Sequence, residues 1–430
     1  MYYFISQYLK DLDTPISNIS ISIFRLAFSF VLLIQTYYFI ADDFITKNIV
    51  NPVILFPFIH GLKPVSAQYL FMLSYIMLIS NIGMFFNRFY KISTLIFTCC
   101  FTYFWLLDKG YFNNHYYFMS LIAFLLLLVN NKCSFSKVTY VPKINLISLQ
   151  FMVILVYFIS GINKINPYWL VDFQPMKHIL ETKAMITQNP FFDKEFLPKL
   201  FSYLGLLFDL GIGFLLIFQK TRVIGFGLVC IFNLINFQLF KDIGEIGVFP
   251  ILMITTLILF VDPKRYLKIF KLQKKPNQIK YSIYLKKFIV VFLILQTILP
   301  FRHNLFKGHV DYNGVGQRFS WRMKLMYKEA DINYFIINKF TKERFSVNVS
   351  PMLTDKQYNN LKYFPDLIVP LAKKIKLEAK EKFGINNAKV VCVYKLKFME
   401  KDEQLLFSPK LDLTKIHQNA LTNNWLFELK

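Results

Sequence analysis

Residues Ile144–Lys164 read INLISLQFMVILVYFISGINK. About 20 residues without a charge are what an α-helix needs to cross a hydrocarbon layer ~30 Å thick. That run points to a membrane-spanning chain, and the lysine that closes it points to chemistry. An ammonium at such a position either snorkels to water or sits in a partly dry place, where desolvation favours the neutral amine and makes it available as a base.

Composition extends the first reading. The 430 residues are 55% hydrophobic and include 49 Phe, and mean hydropathy is +0.40. That is too apolar for an ordinary soluble chain. Continuous apolar runs, rather than alternating ones, predict transmembrane helices and exclude a β-barrel. Spans are expected at Ile19–Ala41, Ala67–Phe86, Ile92–Leu107, His115–Val129, Ile144–Asn163, Leu200–Phe218, Val223–Phe240, Ile246–Val261 and Tyr284–Phe301. Ile92–Leu107 and His115–Val129 are short for a bilayer, which suggests tilt or burial within the protein. Asn51–Gly61 is too short to cross and reads as re-entrant or interfacial. Met1–Asn18 lacks the basic start, apolar core and small-residue cleavage site of a signal peptide.

The net charge of +24 does not imply nucleic acid, because the basic residues lie between the apolar runs. The second, fourth, sixth and eighth loops carry about 16 Lys and Arg and the odd loops about 8. Their largest cluster is Lys264–Lys287. The even loops are therefore expected in the cytoplasm with the N-terminus, and everything after Phe301 outside. The membrane is a bacterial inner membrane or, in a eukaryote, that of the endoplasmic reticulum with the outer part in the lumen. Beyond Arg302 the chain is more polar. Asp331–Asn338, Phe345–Val349 and Lys389–Phe398 read as strands and Asp366–Phe383 as a helix. The expected architecture is an all-α polytopic membrane domain of about nine transmembrane helices, residues 1–301, followed by a small α+β extracytoplasmic module, residues 302–430.

With this orientation the polar residues at the span ends collect on one face. Asn113, Asn114 and His115 open the fourth span, and Lys164 closes the fifth. Asn236 and Gln238 close the seventh, Glu245 opens the eighth, and Arg302 and His303 follow the ninth. Each alone reads as a boundary anchor. Together they define one depth at which a lipid-soluble molecule and a water-borne one can meet. Arg25 and Asp209 lie deeper, and an Arg25–Asp209 pair would lower the burial cost of both. Cys99, Cys100, Cys133, Cys230 and Cys392 form no CxxC, which argues against a disulfide framework or a metal site.

Six stretches carry a resemblance. They are IFRLAFSF (Ile23–Phe30), LLDKGYFNNHYYF (Leu106–Phe118), VYFISGINKINPYW (Val156–Trp169), GLLFDLGIGFLL (Gly205–Leu216), NFQLFKDIGEIGVF (Asn236–Phe249) and GQRFSWRMKL (Gly316–Leu325). In order and spacing they resemble the vitamin K-dependent γ-glutamyl carboxylase family and its wider relatives, the HTTM-domain membrane proteins. The likeness is to the short bacterial-type homologues, since the long C-terminal region of the animal enzymes has no counterpart before Lys430.

The resemblance implies a lyase, a peptidyl-glutamate carboxylase. It couples oxygenation of vitamin K hydroquinone, or a menaquinol-type reduced quinone, to addition of CO2 at the γ carbon of a peptide glutamate. O2 and CO2 are the co-substrates, and a glutamate-containing peptide and membrane lipid are the partners. In the family the second lysine of a GxKK-type segment activates the quinol; its match is Lys164. The histidine of the NNH segment matches His115. Asn114, Asn236, Gln238 and Trp169 are the expected cofactor-binding residues. The chain departs from the family at Asn163, where the family has lysine, and at Asn233, where the animal enzymes have histidine. The alternatives are a quinol epoxidase without carboxylation and a non-catalytic quinone- or lipid-binding membrane protein.

Overall fold

The computed structural model describes residues 11–86, 88–129, 139–242, 246–270, 282–417 and 423–430. Helices stand at every expected span. They are α1 (Ile19–Ala41), α2 (Ala67–Gly83), α3 (Tyr90–Leu106), α4 (Asn114–Leu128) and α5 (Lys143–Asn163). After a short α6 (Pro167–Leu170) and α7 (Met176–Thr187) come α8 (Phe196–Ile217), α9 (Arg222–Phe240) and α10 (Phe249–Thr255), which tightens into a 3-10 turn to Phe260. Following α11 (Pro263–Ile269), α12 (Ile283–Ile298) continues as a 3-10 turn to Leu305. Five of these, α1, α5, α8, α9 and α12 with its turn, are long and apolar enough to cross a membrane. The segments 67–83, 114–128 and 249–260 are apolar but shorter.

Helix ends follow local chemistry. The expected start at Leu200 moves to Phe196 because Pro198 falls in the first turn, where a missing N–H costs nothing. The expected span from Ile246 begins as a helix only at Phe249, with Pro250 in its first turn. Packing separates the helices by depth in the bundle. The apolar windows of α5 and α1 are 72% and 67% buried, and those of α8, α9 and α12 only 33%, 28% and 22%. The central pair is thus enclosed by protein, while the outer three turn residues such as Leu207, Ile224 and Leu295 outward. In water such a surface would be unfavourable; facing lipid it is ordinary.

The two ends of the bundle differ. At one end β1 (Pro15–Ser17) pairs antiparallel with β2 (Tyr140–Pro142), and Lys143 and Lys286 bind Asp11 and Asp13 at 2.6 and 2.5 Å. At the other end sits the module. Its four-stranded antiparallel sheet has the order β4-β3-β5-β6, with β3 (Lys328–Asn338), β4 (Arg344–Val347), β5 (Ala388–Phe398) and β6 (Gln404–Leu405). A one-turn α13 (Val310–Asn313) precedes it, and α14 (Asp355–Leu361) and α15 (Ile368–Phe383) complete it. Alternation along β5 places Val390, Cys392, Tyr394, Leu396 and Phe398 in a separate core under α15.

The segment 51–61 forms no helix. Phe56 joins the module core, and its carbonyl accepts the Lys109 N–H at 2.7 Å. Asp108 accepts from Gly110 N at 2.5 Å and from Gln357 Nε2 of α14 at 2.6 Å. Tyr111 and Thr354 share a 2.5 Å hydrogen bond. Arg318 donates twice to Asp366, at 3.0 and 2.9 Å. The module is therefore bonded to the bundle through several polar contacts at one end.

One expectation is overturned. Arg25 does not pair with Asp209. Its guanidinium lies 4.8 Å from the centre of the Tyr90 ring, and Asp209 is bound to Lys164. Glu245, Cys133 and residues 271–281 of the Lys264–Lys287 cluster lie outside the described residues.

Candidate active site at the module-facing end of the bundle

Lys164 caps the C-terminus of α5. The sequence INPYW then starts α6 immediately. Asn166 Oδ1 accepts the Trp169 N–H at 3.0 Å and Pro167 occupies the first helical position, a pairing of side-chain cap and proline that fixes the turn. The turn folds the Trp169 indole back beside the lysine, with Lys164 Nζ 5.1 Å from the ring centre. The indole N–H donates to Ser202 O of α8 at 2.8 Å. Lys164 and Trp169 are both buried, 6% and 4% exposed, so the amine is not a snorkelling one.

Two glycines explain how α8 reaches it. A Cβ added to Gly161 would lie 2.7 Å from Leu210 Cδ2 and 3.0 Å from its backbone N; one added to Gly213 would lie 2.7 Å from Ile154 Cγ2. Only bare α-carbons permit this approach of α5 and α8. It brings Asp209, 3% exposed, onto Lys164 Nζ, and the Ser160 hydroxyl also bonds the carboxylate. Gly205, one turn before Asp209, turns its α-carbon towards Lys164 and Trp169. A Cβ there would be 3.7 Å from Trp169 Cζ2 and 4.0 Å from Lys164 Nζ.

The NNH segment forms the neighbouring wall. Asn113 Oδ1 caps α4 by accepting the His115 N–H at 3.3 Å. The His115 imidazole is 7% exposed. It packs edge-on to Tyr116 and faces Gly247, whose left-handed φ of +54° suits glycine and whose added Cβ would sit 3.7 Å from Nε2. Asn114 Nδ2 donates to Arg322 O at 3.4 Å. Arg322 in turn donates to Asn163 Oδ1 at 2.8 Å, and Asn163 Nδ2 donates to Ser320 O at 2.8 Å. The Arg322 guanidinium is locked by Asp311, at 2.7 and 2.5 Å. The starts of α4 and the end of α5 are thus tied together through the 316–325 segment.

The structure sets Trp169 against Lys164, and it links Asn114, with His115 directly after it in α4, to Asn163 through Arg322. It does not gather every expected residue. Gln238 is exposed, and its carbonyl accepts from Lys183 Nζ at 2.7 Å. Asn236 is half-buried near the end of α9. Arg302 donates to Ser320 Oγ at 3.3 Å and to Arg318 O, bracing the 316–320 segment, while the His303 ring bonds Pro300 O at 2.8 Å within its own turn. Asn233 is buried against Tyr157, its Nδ2 donating to the phenol at 3.3 Å. Asp209, Gly205 and Arg322 had not been singled out as site residues; their signals were the GLLFDLGIG and RFSWRM stretches.

The polar inventory suits a ligand carrying hydroxyls on an apolar ring. Asn114 Oδ1 and Ser202 Oγ are buried without a hydrogen-bond partner among the described residues, which costs free energy unless a ligand or water satisfies them. Bare α-carbons at Gly205 and Gly247 flank the amine and the imidazole.

Two family models match the sequence. The HTTM domain matches residues 14–264, more than half of the chain. The lumenal domain of vitamin K-dependent gamma-carboxylase matches residues 281–430. No solved structure matches the chain.

Proposed function

We propose, because the chain belongs to the HTTM family and carries a vitamin K-dependent gamma-carboxylase lumenal domain, that it is an integral-membrane vitamin K-dependent carboxylase. The observation that carries this reading is the enclosed amine of Lys164, set between an indole and a glycine on a helix whose outer face is apolar. The end holding β1 and β2 faces the cytoplasm; the module and the site face outward. The bundle crosses the membrane about nine times, its shorter helices being enclosed by the longer ones.

In this account the substrate hydroquinone enters from the lipid side of α8. Reduced vitamin K, when bound, supplies with O2 the strong base that takes the γ-proton of a peptide glutamate, after which CO2 adds at that carbon. The protein's own task is narrower. A γ-proton beside a carboxylate is far too weakly acidic for an amine, whereas a hydroquinone hydroxyl is within an amine's reach. Lys164 Nζ takes that hydroxyl proton. The Asn114 amide and the His115 imidazole are assigned as the donors that stabilise the negative oxygen left behind. Burial of Lys164, Trp169 and His115 keeps bulk water from the pair, which strengthens each of these contacts. The module presents the glutamate peptide to the same end.

The test is turnover by the purified protein with vitamin K hydroquinone, O2, labelled CO2 and a glutamate peptide. Epoxide and γ-carboxyglutamate formed together support the reading. Epoxide alone makes the protein a quinol epoxidase, and quinone binding without either product makes it a carrier.

A further inference from the structure

Lys164 does not stand alone, and its partner has no place in the chemistry described so far. Asp209 is the acceptor of its N–H. The side chains are 8% and 3% exposed, so water contributes little to holding them. The carboxylate is itself fixed from a second side by Ser160, which lies four residues before Lys164. Gly161 and Gly213 set the helix approach on which the contact depends. Three residues of the sequence, Ser160, Gly161 and Gly213, therefore converge on one carboxylate and one amine. A surface ion pair needs none of them.

We propose that Asp209 is the positioning residue of the base, resting on the reading of Lys164 as the group that takes the quinol proton. By accepting one N–H of the amine, Asp209 holds Nζ beside Gly205 and Trp169 and limits the directions its second N–H and lone pair can take. When the proton moves, the O–H bond of the hydroquinone breaks and an N–H bond forms at Lys164, while the electron pair stays on the oxygen. The positive charge that the amine gains is met at once by the Asp209 carboxylate. Without it, an ammonium would form in a buried place with no counter-charge, which is costly. The logic is that of a buried acid behind a general base, which orients it and stabilises the cation that forms without itself exchanging the proton.

The test compares Asp209→Asn, Asp209→Glu and Lys164→Ala in the full-length protein, reading quinol oxygenation with vitamin K hydroquinone and folding by thermal unfolding. The expected result for Asp209→Asn is a kcat lowered about 100-fold, with KM for the hydroquinone within about threefold of wild type. Asp209→Glu restores part of kcat. Removing Asp209 in a Lys164→Ala background has no further effect on rate, since residues acting as a unit are not additive. If Asp209→Asn does not fold, Asp209→Glu decides alone, because it keeps the charge and moves the carboxylate by one methylene; its expected kcat is about tenfold down with KM unchanged. Wild-type kcat in a folded Asp209 variant, alongside an inactive Lys164→Ala, overturns this inference only. Turnover retained in Lys164→Ala removes the reading on which it rests.

Discussion

Gly205 controls the volume beside the Lys164 amine. Its α-carbon faces both Trp169 and Lys164, and an added Cβ would meet them only at ordinary van der Waals distance. A longer side chain would extend into the space assigned to the hydroquinone. Gly205→Ala is therefore expected to leave the fold intact, even stabilising α8 by about 0.5–1 kcal/mol through lost backbone freedom in the unfolded chain. Hydroquinone turnover should fall about tenfold or more. Thermal unfolding and an epoxide assay on the same preparation check both parts; turnover unchanged in that variant places the ligand elsewhere. Sequence reading expects Lys164, Asn114 and His115 at span ends, and the structure buries Lys164, Trp169 and His115. It could not find Gly205, whose contribution is an absence of atoms. It paired Asp209 with Arg25 because hydropathy gives depth along a span but not the rotation of a helix or its neighbour. Asn163 reads as a departure from the family at the base; in the structure its amide is bonded to Ser320 and Arg322.

At the level of elements, the α5–α8 contact sets the distance between base and carboxylate. Gly161→Ala puts a methyl group 2.7 Å from Leu210, and overpacking of this kind costs about 1–3 kcal/mol. Gly211, also within α8, has nothing within 4 Å of an added Cβ. Gly211→Ala is therefore expected to be neutral or stabilising by about 0.5–1 kcal/mol. The pair separates a local helix effect from a packing effect: melting temperature and turnover should both fall for Gly161→Ala and neither for Gly211→Ala. Equal behaviour of the two would mean that α5 and α8 do not meet as described. Elements were the most legible level. Nine apolar runs became helices, and the alternation of Lys389–Phe398 became β5 (Ala388–Phe398). Two of the shifted ends, at Phe196 and Phe249, are those where a proline enters a first turn.

At the scale of the whole molecule, the joint between bundle and module contains a buried acid. Burial pushes the Asp108 carboxyl up to about 6 from its ordinary 3.8, opposed by the hydrogen bond from Gln357. Between those values the folded state holds a proton that the unfolded chain has released, so this group's contribution to stability falls as pH rises from about 4 to 6 and stays low above. Asp108→Asn should remove that dependence. The melting temperature of the wild type should drop by about 5 °C relative to the variant across this window, as a pH series of thermal scans would show; parallel curves contradict it. This joint was not legible in the sequence, because Asp108 and Tyr111 are far in the chain from Gln357 and Thr354 and meet them only when the module docks. What the docking achieves is enclosure: the 316–325 segment closes over the ends of α4 and α5 and leaves the Lys164 amine in a dry, partnered place. The most direct measurement of that claim is vitamin K hydroquinone oxygenation by purified Lys164→Ala, with its fold verified by thermal unfolding. The account predicts a folded protein that forms no epoxide and no γ-carboxyglutamate. Wild-type rates of both products in that variant would contradict it.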